Sequence, residues 1–200
     1  HGVNGKNIIS GKIGKTTDTF YSSSDGYAGR NDSSYAAVRS AVGDIGSNSA
    51  TILAVQNGVN AGTYTIYRSP VMFDTSALPD TDDISASTLS ITTMGFANAD
   101  GDGTLVDVSN PANPASIAAS DYDITKWAGV AQSNTILHST LSGGGVSSFT
   151  LNATGLGNIS KTGTTKFGLR SSNDFNNTAP SANPYHYPYS TDQGGTTQDP

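Results

Sequence analysis

The chain has 200 residues, a net charge of −6, no cysteine and only 13% charged side chains beside 23 glycines, so its polarity comes largely from Ser, Thr, Asn and Gly. That size suits one domain able to bury its own core, and nine Tyr and six Phe oppose whole-chain disorder. Ten scattered basic residues against sixteen acidic ones disfavour a nucleic-acid partner, which needs clustered Lys and Arg to displace counterions, and no apolar run of about 18 residues offers a membrane span.

Along the chain, apolar residues recur with period two between clusters of Gly, Asn, Asp and Pro, while the i, i+3, i+4 spacing of helices is not sustained. The expected strands are NIISGKI (7–13), TFYSS (19–23), YAAVRSA (35–41), ATILAV (50–55), TYTIYRSPVMFD (63–74), STLSITTMGF (87–96), TLVDVS (104–109), TILHSTL (135–141), SSFTLN (147–152) and KFGLRSS (166–172). About ten short strands separated by turns predict an all-β, jelly-roll-like sandwich of two sheets. One helical turn is expected in ASDYDITKWAG (119–129), capped by Ser120 or Asp121, and another in NATGLGNIS (152–160).

Within the long strand, Pro70 has no N–H to donate, which predicts an edge or a bulge; a bulge there brings Val71, Met72 and Phe73 all toward the core. The Asp74-Thr75-Ser76 corner then supplies side-chain oxygens to nearby N–H groups. Phe73 and Leu78 are expected to seal this end of the fold, and Trp127 to sit in the core.

DGYAGRNDSSYAAVRS (25–40), FDTSALPDTDDISASTLSI (73–91), SDYDITKWAG (120–129), FTLNATGLGNISKTG (149–163) and YSTDQGGTTQDP (189–200) follow one another in an order that resembles the DNRLRE-like β-sandwich modules of surface, phage virion and carbohydrate-active proteins. The resemblance covers residues 17–200. It implies one sandwich domain used as a structural, adhesive or spacer module in an extracellular, cell-surface or virion setting, with no catalytic set to carry over. It also implies a further apolar strand after the TQDP stretch, and it leaves residues 1–16 outside as a strand-like arm.

Together these two features lead to an expectation of self-association. The arm of one subunit, through Ile8, Ile9 and Ile13, would complete the next, building a homo-oligomer or filament. The simpler alternative folds the arm back into its own sandwich, or has the chain continue past Pro200. The start at His1 rather than Met is read as an upstream piece that was removed or was never included.

Several clusters bear on chemistry. Asn98, Asp100 and Asp102 stand at the 1, 3, 5 spacing of a calcium loop with Gly103 at position 6, and Asp107 is nearby; position 12 is Ser109 rather than Glu, so a solvated hairpin competes with calcium binding. Asp74, Asp80 and the TDD at 81–83 read as turn acids. Tyr185, Tyr187 and Tyr189 share one face of an extended segment, where rings can stack on a glycan or close a subunit contact. His1, with His138 or His186, has the residue types of a copper-dependent polysaccharide oxygenase. Four N-x-[ST] sequons, at Asn31, Asn152, Asn158 and Asn176, are of the kind that chance supplies in a chain so rich in these residues. The expected function is a non-enzymatic structural or adhesive module without a required cofactor, with carbohydrate binding as its alternative and copper chemistry as a more distant one.

Overall fold

The computed structural model describes residues 8–13, 16–48 and 51–190. Within them the chain is all-β: β1 (Ile8–Ile13), β2 (Thr16–Asp25), β3 (Tyr27–Asp32), β4 (Ile45–Ser47), β5 (Val55–Asn60), β6 (Thr63–Asp74), β7 (Ile84–Ala97), β8 (Gly103–Asp107), β9 (Ile136–Leu137), β10 (Val146–Thr150), β11 (Thr164–Ser171) and β12 (Tyr185–Pro188). Short helices α1 (Tyr35–Ser40), α2 (Ala153–Gly157) and α3 (Ser172–Phe175) punctuate them.

Two long strands organise the sheets. The first part of β6 lies between β3 and β5, and its second part between β11 and β2. Likewise β7 pairs first with β1 and β10, then with β12. Because β2 pairs with both β1 and β6, the path β2-β1-β7-β12-β5-β6 closes on itself, giving a sandwich with a barrel-like circuit. Pro70 sits where β6 changes partners, facing Gly168 of β11, and the ladder irregularity falls on β2, between Ser22 and Ser24. Val71, Met72 and Phe73 are all fully buried.

Four local expectations are corrected. Residues 35–40 form a helix, not a strand: the Ser34 hydroxyl caps the Ala37 N–H, and Val38 and Tyr35 turn one helical face toward a small cluster of Ala28, Ile66, Ile117 and Tyr122. The ATILAV strand is displaced, because the Ser69 hydroxyl takes both the N–H and the C=O of Ala54, at 2.9 and 2.8 Å, and β5 begins only at Val55. After Leu137 the chain tightens into a 3₁₀ turn over His138–Thr140 instead of continuing β9. In the 119–129 stretch there are two 3₁₀ turns; Asp123 caps the second, and neither Ser120 nor Asp121 is the N-cap of the first. The turn expected in 152–160 is α2, capped by Asn152.

The arm also takes a definite place. β1 runs antiparallel between β2 and β7 of its own chain, and Ile9 is 1% exposed, packed with Leu89, Phe149 and other core residues. The segment pairs within the sheet of its own chain. The side chains of Ile8 and Ile13, and the stretch from 191 to 200, lie outside the described residues.

The main core joins Ile9, Val55, Val71, Phe73, Leu89 and Phe167 with residues of β8 and β10. Leu78 belongs to it, and Thr75 below it is fully buried, its hydroxyl meeting the Thr165 hydroxyl and the Ser160 and Gly163 carbonyls. At the surface of this corner, Asp74 Oδ1 accepts from the Ser76 N–H and hydroxyl. Trp127 is buried, with its Nε1 donating to the Asp121 carbonyl and its ring lying over Gly168, where a Cβ would come within 2.5 Å of it.

Charge is also buried. Arg68 grips Asp174 with a two-pronged contact, Nε to Oδ2 and Nη2 to Oδ1, both 2.8 Å. Arg170 bridges Asp174 (Nε to Oδ2, 3.0 Å) and Asp107 (Nη1 to Oδ2, 2.9 Å). All four side chains are 0–1% exposed. Arg68 is further satisfied by the Tyr122 carbonyl, and its guanidinium lies 4.3 Å from the centre of the Tyr122 ring. Burial alone would raise the Asp174 carboxyl, but the Arg68 and Arg170 guanidiniums outweigh it and hold that group far below the usual carboxylate range.

Two stability outcomes follow from these contacts. Phe73→Ala should cost about 3–5 kcal/mol in denaturant unfolding, as expected for an aromatic truncated in a close-packed core. Asp174→Asn leaves two buried guanidiniums short of a negative partner and should cost about 3–5 kcal/mol, whereas neutralising an exposed turn acid, as in Asp80→Asn, should change stability by less than about 1 kcal/mol.

Candidate functional site

The calcium-like quartet does not converge. Asp100 and Gly101 have positive φ (56° and 65°), and the Asp102 N–H bonds the Ala99 carbonyl, which makes a tight turn leading into β8. The Asp100 carboxylate reaches across to the Ser181 N–H and hydroxyl and the Ala182 N–H, securing the approach to β12. Asp102 is fully buried and accepts from the Ser171 and Ser172 hydroxyls and the Gly103 and Asn173 N–H groups at the start of α3. Asp107 serves Arg170 and the Val108 and Gly129 N–H groups, while Asn98 is exposed. Each of these three carboxylates thus works as a separate internal fastener. Among the described residues no group of three or more His, Cys, Asp or Glu side chains is placed to hold a metal ion.

His1 lies outside the described residues, and the two histidines named with it are interior. Thr104 Oγ1 is 3.1 Å from His138 Nε2 and 3.0 Å from His186 Nδ1, and His186 Nε2 is 3.0 Å from Thr93 Oγ1. This hydroxyl-imidazole chain ties β12 to β8 and β7. Burial keeps both rings neutral: it pushes His138 down and His186 down to about 3.

On the other side of β12 the tyrosines gather. Register places Gly29, Tyr67, Gln56, Tyr185 and Ala97 directly beside one another across β3, β6, β5, β12 and β7. Tyr185 and Tyr187 stack, with centroids 4.4 Å apart and planes 20° apart, and Tyr27 meets Tyr67 edge-on at 5.4 Å. The Tyr67 ring lies over Gly29, where a Cβ would come within 2.1 Å of it, so only glycine admits the ring in this position.

Gln56 fastens the strip from below. Buried at 5% exposure, it accepts from the Tyr187 hydroxyl (2.6 Å) and donates to the exposed Asn183 carbonyl oxygen (2.7 Å). All four tyrosines are half-buried. Burial raises the phenols of Tyr67 and, to about 12, of Tyr187, so both remain neutral hydroxyls at ordinary pH.

Of the three tyrosines expected to share a face, Tyr185 and Tyr187 do so. The register slips between Tyr187 and Pro188, and Tyr189 instead bridges Ile52. Tyr27 and Tyr67 join the strip from strands remote in sequence. Tyr27 lies outside every expected strand, and no local spacing connects Tyr27 or Tyr67 to residue 187. No family model matches the chain, and no curated protein matches it.

A pH effect follows from the buried imidazoles. The unfolded chain takes up protons near the ordinary value of 6.5, whereas folded His186 resists them down to about 3. Stability is therefore full above pH 6.5 and falls as pH drops toward 3, by up to about 1.4 kcal/mol per pH unit for each such histidine. Thermal melts should show a lower midpoint at pH 4.5 than at pH 7.5, and His186→Gln should flatten that difference while lowering the midpoint at pH 7.5.

Proposed function

We propose that this chain is a non-enzymatic adhesive module that binds carbohydrate on the tyrosine strip. The observation that carries the reading is the row of half-buried rings at Tyr27, Tyr67, Tyr187 and Tyr185, held on a rigid sheet and edged by side-chain amides. A sugar ring has an apolar C–H face and a rim of hydroxyls. Aromatic faces take the first, and neighbouring amide and phenol groups take the second. Little rotamer freedom remains to be lost on binding, because Gln56 and the Tyr185–Tyr187 stack already hold the rings.

An extracellular, cell-surface or virion location suits such a module, as does the resemblance of residues 17–200 to sandwich modules of surface and carbohydrate-active proteins. Glycan-array binding followed by titration of the best ligand tests the proposal. Tyr67→Ala and Tyr187→Ala should each weaken binding by at least about tenfold, equivalent to about 1.4 kcal/mol, without unfolding the chain. Absence of binding across the array would leave a spacer rather than an adhesin.

A further inference from the structure

We infer that the ligand of the tyrosine strip is an uncharged oligosaccharide lying across β3, β6, β5 and β12, and that Asp44 helps to exclude acidic glycans. This rests on the carbohydrate-binding reading above and narrows it in two respects, length and charge.

Length comes from strand geometry. Tyr27, Tyr67, Gln56 and Tyr185 sit on four successive strands, and three spacings of about 4.8 Å span about 14 Å. That is longer than one sugar ring. The direct cross-strand pairing of Tyr67, Gln56 and Tyr185 makes the floor a continuous row rather than a pit, so it suits several consecutive units of a chain.

Charge comes from the side chains along that row. Gly29, Tyr67, Gln56, Tyr185 and Ala97 are all neutral, as are the flanking Tyr27, Tyr187 and Asn183. The nearby arginines turn elsewhere: Arg68 is committed to Asp174 in the interior, and Arg30 to Asp32 and the Val42 carbonyl. Asp44 stands beside the row, its N–H bonding the carbonyl of Gly29, the cross-strand partner of Tyr67, at 3.1 Å; its exposed carboxylate, after burial and Tyr27, helps to raise the Tyr67 phenol. Among the described residues, a uronate or sulfate placed on the strip would meet no free cation and one like charge, against a net chain charge of −6.

The test uses the full chain and calorimetric titration with cellohexaose, mannohexaose, chitohexaose and an oligogalacturonate of matched length, with analytical ultracentrifugation of the free chain. At least one neutral probe should bind, with at least a tenfold loss in Tyr67→Ala, and the galacturonate should bind at least tenfold more weakly. Asp44→Asn should strengthen galacturonate binding while leaving the neutral probe unchanged. Galacturonate binding that matches or exceeds the neutral probes and depends on Tyr67 overturns the inference but preserves carbohydrate binding. If no probe binds, or if Tyr67→Ala instead dissolves a dimer of the free chain, the strip is not a glycan site and both readings fall.

Discussion

Asp174 is the constraint around which the fold is arranged. Its two oxygens are shared by Arg68 of β6 and Arg170 of β11, with Arg39 of α1 at the margin (3.6 Å), and Arg170 carries the charge on to Asp107 of β8. A buried ion pair contributes little net stability over an apolar equivalent, because desolvation offsets much of the attraction. Its cost when incomplete is large, however, so it rejects arrangements that fail to bring all the partners together. In this chain a strand register in which β6 or β11 slips by one residue would turn its arginine to the wrong face and strand a charge in the interior.

The tyrosine strip inherits that precision. Arg68 is the residue after Tyr67, so the contact that fixes one side of β6 also fixes where the Tyr67 ring emerges on the other. On β12 the same logic holds with neutral groups: His186 is held inward by Thr104 and Thr93, and the flanking Tyr185 and Tyr187 are directed outward. Inward polar anchors thus position an outward aromatic surface, and a recognition surface gains affinity when its rings need not be ordered on binding.

Many strand positions were legible because period-two alternation survives, most plainly in β10, where Ser147 and Phe149 are buried between exposed neighbours, and because Asp-Thr-Ser corners and Asn caps act through local hydrogen bonds. α1 was not, since Tyr-Ala-Ala-Val reads as alternation until Ser34 is recognised as a cap with Val38 on the buried face. The buried arginines escaped for another reason: arginine is usually exposed, and nothing local distinguishes Arg68 or Arg170 from a surface side chain. Of the candidate site, Tyr185 and Tyr187 lie two residues apart and could be paired by inspection. Tyr27 and Tyr67 could not, because only the β3-β6-β5-β12 order makes them neighbours, and that order depends on long-range pairing. The acidic cluster misled in the opposite direction, since side chains close in sequence were sent to α3, to Arg170 and to the segment before β12.

The shared use of β7 has a mechanical meaning. Ile8 of β1 pairs with Ser90, and Pro188 of β12 pairs with Thr93, so among the described residues the first and last strands meet β7 within about 10 Å of each other. Tension applied to these two strands would be borne mainly at that doorway, peeling β1 or β12 from β7, while the rest of the fold hung aside from the line of force. An attachment of this kind resembles a pendant on a cord more than a link in a chain.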